Sequence, residues 1–200
     1  MKEIFDDKTI DYYETNAQSF FDTTANVEFS SNQDKFLGYL ENGGLVLDYG
    51  CGSGRDAKYF LDKGFQVVAV DGSKHMCQLA NKLTGLPVRQ MYFQQLDETG
   101  KYDGVWACAS ILHLPVDQLG DVFTKVAQAL KTKGIFYVSF KYGDFQGERN
   151  GRYFTDLTES SLAQLVVQSG AFAIEEIWLS SDVRPGRSDE KWLNAILKKV

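Results

Sequence analysis

A short apolar run, Leu45-Val46-Leu47, passes through Asp48-Tyr49-Gly50-Cys51-Gly52-Ser53-Gly54 into Arg55-Asp56-Ala57-Lys58-Tyr59-Phe60-Leu61, and no other stretch constrains the fold as tightly. The run predicts a buried strand, and the residues after the glycines predict the first turns of a helix. A strand that turns through glycines into a helix leaves backbone N–H groups at the helix start, where an anionic ligand group can dock. The glycines stand at 50, 52 and 54, and Arg55 occupies the place where a dinucleotide fingerprint has its third glycine. A bulky charged residue there disfavours an NAD site.

The next apolar run, Gly64-Phe65-Gln66-Val67-Val68-Ala69-Val70-Asp71, predicts a strand covered on both faces. It ends in Asp71, 17 residues beyond Gly54. An acidic side chain at the tip of the second strand of a doubly wound sheet is placed to accept hydrogen bonds from a ribose diol. A carboxylate suits that task, being acceptor-only and able to form the stronger, charge-assisted bonds. Gly72 and Ser73 then turn the chain into a helix from Lys74, with Ser73 as its N-cap.

The remaining pattern extends this unit. Further strands are predicted near 88–93, 103–108, 135–140, 172–179 and 191–199, and helices near 8–21, 31–41, 55–63, 74–83, 117–131 and 158–169. Alternation of strand and helix up to residue 140 implies a parallel sheet with right-handed crossovers, whose ligands bind at the carboxyl ends of the strands. Two hundred residues with 44% hydrophobic content suffice for one core, without a composition break that would mark a second domain. A net charge of −6 gives no general affinity for polyanions. Cys51, Cys77 and Cys108 form no CxxC pair and no metal-ligand cluster with the two histidines, so no metal is expected and a reduced, cytoplasmic setting is. Met1 to Asp7 lack the apolar segment of a signal peptide, and no run reaches the ~18 apolar residues of a membrane span.

Four stretches carry a family resemblance. Asp48-x-Gly50-x-Gly52-x-Gly54 resembles the first motif of the class I S-adenosylmethionine-dependent methyltransferases, and Val70-Asp71-Gly72-Ser73 resembles the second. Tyr102-Asp103-Gly104-Val105-Trp106-Ala107 is similar to the family's fourth-strand motif, and Ala129-Leu130-Lys131-Thr132-Lys133-Gly134 to the turn before strand five. Within the family, the small-molecule enzymes of the methyltransferase domain 11/12 type look most alike. The resemblance implies an α/β, Rossmann-like, seven-stranded and mostly parallel sheet with an antiparallel last strand, helices on both faces and N-terminal lid helices. It implies one domain over 1–200, with the lid within 1–42 and a substrate-loop insertion at 141–157. The implied cofactor is S-adenosylmethionine, with S-adenosylhomocysteine as product. The implied partner is a small-molecule acceptor, with nucleic acid and membrane disfavoured, on a monomer or homodimer.

Carried onto this sequence, the cofactor site comprises Tyr13, Asp48, Gly50, Cys51, Gly52, Gly54, Arg55, Asp71, Gly72, Ser73, Gln95, Leu96 and Ala107. Either Gln94 or Gln95 would meet the adenine edge, where many relatives carry an acidic residue. Arg55 would hold the methionine carboxylate or else pair with Asp56. Tyr13, in Tyr13-x-x-x-Ala17-x-x-Phe20-Phe21, resembles a lid-helix residue that meets the methionine end of the cofactor; the alternative is an amphipathic helix packed on the sheet. His113, after the fourth strand, is the candidate general base, or a histidine packed at a helix start. Lys141, Arg149, Arg152, Arg184 and Arg187, with Tyr153 or Phe154 stacking, form a candidate site for an anionic acceptor; solvated loop cations are the alternative. A tRNA or other nucleic-acid methyltransferase and an inactive, cofactor-binding partner subunit are the competing functions.

Overall fold

The computed structural model describes residues 7–200, so the expectation for Met1 to Asp6 lies outside the described residues. The chain orders its elements as α1 (Asp7–Thr24), α2 (Ser30–Leu37), β1 (Leu45–Tyr49), α3 (Arg55–Asp62), β2 (Gln66–Asp71), α4 (Lys74–Thr84), β3 (Arg89–Gln90), β4 (Tyr102–Ala107), α5 (Val116–Ala129), β5 (Leu130–Lys141), β6 (Gln146–Arg149), β7 (Arg152–Thr155), α6 (Glu159–Ser169), β8 (Phe172–Ser181) and β9 (Lys191–Lys199). Seven strands form one sheet in the order β3-β2-β1-β4-β5-β9-β8. Strands β1 to β5 pair in parallel, and β9 enters antiparallel between β5 and β8. The order reverses between β1 and β4, so the carboxyl ends of β1, β2 and β4 surround the switch point.

The central strands are apolar on both faces because both faces are covered. On one side Phe36 of α2, Ala57 and Phe60 of α3 and Ala80 of α4 pack against Val46, Val67, Trp106 and Tyr137. On the other, Leu119, Val122 and Phe123 of α5 and Leu162 and Leu165 of α6 pack against Leu47, Val105 and Phe136. Trp106 and Tyr137 stack across neighbouring strands at 3.7 Å between ring centroids. Among the described residues no helix is long and apolar enough to cross a membrane.

Three element boundaries need correction. The strand foreseen at 88–93 is only Arg89–Gln90, held to the tip of β2, while Met91 to Phe93 leave the sheet and Phe93–Gln95 form a 3-10 turn. The helix foreseen at 31–41 ends at Leu37, and β5 starts at Leu130. The substrate insertion at 141–157 contains a two-stranded hairpin, β6 with β7, turned by Asn150 and Gly151 at φ of 49° and 77°. Positive φ at both central residues is what a two-residue turn demands, and Asn-Gly supplies it.

Gly104 of β4 shows how closely α2 sits. A Cβ there would stand 2.6 Å from Phe36 Cζ and 2.9 Å from Leu40 Cδ1. Phe36 has no slack, being wedged among Phe60, Trp106 and Tyr137. Gly104→Val is therefore expected to cost about 1–3 kcal/mol by overpacking, lowering the melting temperature by roughly 2–4 °C for each kcal/mol. An unchanged thermal midpoint would show that α2 is not seated this closely.

Candidate functional site

The loop after β1 is fastened to β2 before any ligand is considered. The N–H groups of Gly50 and Cys51 both donate to the Val70 carbonyl, at 3.0 and 2.9 Å. Gly52 N–H donates to Asp71 Oδ2 at 2.8 Å, and Ser73 N–H donates to Asp71 Oδ1 at 2.9 Å. Gly50, Gly52 and Gly54 all take positive φ, at 86°, 53° and 81°, a region that disfavours side chains. Space forbids a side chain as well: a Cβ on Gly50 would meet Ser110 Cβ at 2.5 Å, and one on Gly72 would meet Ile10 Cδ1 at 2.6 Å.

A cavity of about 640 Å³ opens above these strand ends, within the usual range for a ligand site. Its walls include Gly50, Cys51, Gly52, Arg55, Asp71 and Gly72, and also Ser53 and Asp56, which sequence reasoning did not single out. Helix α1 covers it with Ile10, Tyr13, Phe20 and Thr24. On its far side α1 is fixed to α4, where the Glu14 carboxylate accepts from Lys74 N–H and lies 2.6 Å from His75 Nδ1.

Several predicted cofactor residues stand elsewhere. Gly54 lies behind the wall, where a Cβ would press on Ala80 at 3.0 Å, so it serves the approach of α3 to α4. Ser73 is buried and caps α4, accepting from Met76 N–H at 3.1 Å. Ala107 and Leu96 are core residues, and the tip of β4 instead presents Cys108, Ala109 and Ser110. The Gln95 side chain folds back to accept from Tyr92 N–H at 2.8 Å, leaving Gln94, with Met91, Tyr92 and Phe93, on the wall. Asp48 is buried behind the loop with Oδ2 lacking a partner; burial and the nearby Asp56 hold its pKa well above the usual carboxylate range.

Arg55 is committed within the chain. Its Nε and Nη2 donate to the two oxygens of Asp56 at 2.7 and 3.0 Å, and its guanidinium lies 4.5 Å from the Phe29 ring. Asp56 also accepts from Gln33 and from the Trp106 indole, at 2.6 and 2.8 Å. Of the two alternatives for Arg55, the ion pair with Asp56 is the one formed here.

At the other end of the cavity stands a chain of polar contacts. Arg152 Nη1 donates to the Tyr13 hydroxyl at 3.2 Å, and that hydroxyl lies 2.9 Å from His113 Nε2. His113 Nδ1 lies 2.6 Å from the Tyr153 carbonyl, which can only accept, so Nδ1 carries the proton and Nε2 accepts from Tyr13. Burial pulls the His113 pKa down to about 4, aided by the Arg152 charge and opposed by the hydrogen bond to Tyr153. So weak a base, with its free nitrogen already occupied, suits holding Tyr13 rather than taking a substrate proton.

The predicted acceptor cations all line the cavity, but most are neutralised. Arg149 pairs with Asp156 at 2.5 Å and lies over Phe145 and Phe154. Arg184 forks onto Asp182, and its hydrogen bonds hold that carboxyl at about 2 against the upward push of burial. Lys141 and Arg187 share Glu190. Tyr153 is absent from the wall, its backbone tied to Thr9 and His113, and the ring facing the cavity is Phe154.

Comparison with known proteins agrees with this geometry. Residues 46–134 match the methyltransferase domain family. An uncharacterized methyltransferase of Staphylococcus carnosus (strain TM300) is 27% identical over 154 residues, 70% of this chain and 74% of that protein. One of Alkaliphilus oremlandii (strain OhILAs) is 27% identical over 123 residues, 61% of this chain and only half of that protein. The Burkholderia thailandensis 1,6-didemethyltoxoflavin-N1-methyltransferase, solved with 1,6-didemethyltoxoflavin and S-adenosylhomocysteine, superposes with a TM-score of 0.75 at 24% identity, over 96% of this chain and 85% of that one. At that identity the likeness is one of fold. Residues 46–134 thus match a methyltransferase domain, and the chain as a whole shares its fold with solved methyltransferases.

Two outcomes follow. Asp71→Ala removes a carboxylate that still has lone pairs for a ribose diol, and losing charge-assisted bonds typically costs about 1.5–3 kcal/mol. Calorimetry with S-adenosylhomocysteine is expected to show roughly ten- to 150-fold weaker binding. The variant also strips Gly52 and Ser73 N–H of their acceptor, so its ligand-free melting temperature falls as well. The second outcome concerns His113. Its folded pKa, about 4, lies below the ordinary 6.5, so the unfolded chain binds more protons between those values and stability drops as pH falls through them. Urea unfolding at pH 5 and 7.5 is expected to show a smaller pH-dependent loss for His113→Gln than for the wild type; equal losses would contradict a neutral His113.

Proposed function

We propose that the chain transfers a methyl group from S-adenosylmethionine to a small acceptor that carries negative charge. The observation that carries this reading is a cavity running from the glycine loop and Asp71 to the arginines of the β6–β7 hairpin and the 182–190 loop. The residues present suit the cofactor: Gly52, where a Cβ would meet only Phe20 at 3.4 Å, presents bare backbone to the cavity, and Asp71 retains acceptor capacity beside it. Bound S-adenosylmethionine supplies a methyl group already activated on a sulfonium. The chain's task is then to orient two ligands and exclude water, and proximity alone is worth about 7–11 kcal/mol in favourable cases. Gly50, Gly52, Asp71 and Gly72 would hold the nucleoside and methionine portions, Gln94 and the 91–93 segment would flank the adenine, and Tyr13 would face the methionine end from above.

A small acceptor is supported by the cover that α1 forms over the cavity and by the small-molecule ligand in the Burkholderia relative. A charged one is supported by Arg152, which pairs with no carboxylate among the described residues. A nucleic-acid substrate finds little support in a chain of net charge −6 whose loop cations are mostly paired. Three free cysteines fit a reducing, cytoplasmic setting.

The reading is tested by incubating the protein with S-adenosylmethionine and metabolite fractions separated by charge, while S-adenosylhomocysteine is quantified. Product formation is expected in the anionic small-molecule fraction and is expected to vanish in Asp71→Ala. Turnover confined to a tRNA fraction, or to neutral and cationic compounds, would overturn the proposed acceptor class.

A further inference from the structure

We propose that the acceptor is a monoanion of the carboxylate class on an apolar body, and that Arg152 alone reads its charge. The proposal rests on the methyl-transfer reading above and narrows its acceptor. Charge accounting at that end of the cavity is the starting point. Of the five cations the sequence offered, Arg149 is matched by Asp156 and Arg184 by Asp182, while Lys141 and Arg187 meet at Glu190. Lys191, also on the wall, is exposed at the rim and bonded to the Ser181 hydroxyl, with Asp189 nearby in sequence. Among the described residues, Arg152 is left as the one partly buried guanidinium without a carboxylate.

Its setting holds that charge in place without cancelling it. The guanidinium carbon lies 4.5 Å from the Tyr12 ring centroid, 5.1 Å from Phe154 and 5.7 Å from Tyr13, so three aromatic rings fix its plane. One nitrogen, Nη1, donates to the Tyr13 hydroxyl, whose own proton goes to His113. Among the described residues, Nε is buried without a partner and Nη2 makes no hydrogen bond. A guanidinium has five N–H donors, and burying them unpaired is costly, so an acceptor group entering the cavity gains what the chain withholds.

Charge matching then selects among anions. One uncompensated cation balances one negative charge. A phosphate dianion or a nucleic-acid backbone would need further cations, and those nearby are already engaged with carboxylates. Phe154 lies against Arg152, and Leu112 and Leu114 line the same cavity, which favours an apolar body behind the charge. Tyr13 and His113 are positioning residues here, since they hold the guanidinium through its Nη1.

The test uses the 200-residue chain saturated with S-adenosylhomocysteine and three probes: benzoate, its neutral analogue benzamide, and inorganic phosphate. Calorimetric titration is expected to give benzoate at least tenfold tighter binding than either of the others, as loss of a charge-assisted contact implies. Arg152→Gln is expected to abolish the preference, and Arg152→Lys, which keeps the charge, to retain part of it at an unaltered melting temperature. Arg187→Gln is expected to shift benzoate affinity by less than about twofold, because the paired guanidinium contributes little. Benzoate no better than benzamide, a preference for phosphate, or a preference that survives Arg152→Gln would each overturn the proposal. S-adenosylhomocysteine affinity, read in a separate titration of the ligand-free protein, separates the two claims: its retention alongside any of those results overturns the monoanion reading alone, whereas its absence in the wild type overturns the methyl-transfer reading too.

Discussion

The carbonyl oxygen of Val70 accepts two backbone hydrogen bonds, from Gly50 and Cys51, and most of the site's geometry descends from that point. The bonds pin the turn after β1 to the tip of β2. Asp71 follows immediately and locks the next residue of the same loop through Gly52 N–H, while its second oxygen sets the entry to α4. The glycine loop therefore stands as a preformed wall, its backbone donors at 50, 51 and 52 spent on rigidity. Preorganisation of this kind reduces what a ligand must pay to be held.

A second network joins the sheet to the N-terminal helices. Asp56, at the start of α3, gathers Arg55, Gln33 and the Trp106 indole, so one buried carboxylate links α2, α3 and β4. Its hydrogen bonds are complete, which is the condition under which a buried charge is tolerated. The same network explains why Arg55 sits where a dinucleotide fingerprint has glycine: its side chain turns sideways, onto Asp56 and Phe29, and the loop ahead of it stays open.

How much of this was legible in the sequence depended on range. The glycine loop, Asp71 and the alternation of strands and helices were readable because local spacing and hydrophobic runs determine them, whereas the antiparallel last strand was implied only by the family resemblance. The adenine side was not: whether Gln94 or Gln95 faces the cavity turns on a single step around a 3-10 turn, and Tyr92 N–H decides it by capturing Gln95. The hairpin inside 141–157 carried a readable signal in Asn150-Gly151, masked by the charged residues around it. The neutralisation of the arginines was hidden for another reason. Lys141 and its partner Glu190 lie 49 residues apart, and only the entry of β9 beside β5 brings them together.

Helix α1 touches both ends of the cavity at once. Glu14 grips the start of α4 near the glycine loop, whereas Thr9 binds Tyr153 N–H and Tyr13 meets Arg152 on the hairpin. Gly72 and Gly151 lie directly beneath it, so close that a methyl group on either would press on Ile10 or Tyr12. One helix therefore roofs the glycine-loop end and the hairpin end of a single cavity, so that any displacement of α1 would open both ends in the same stroke.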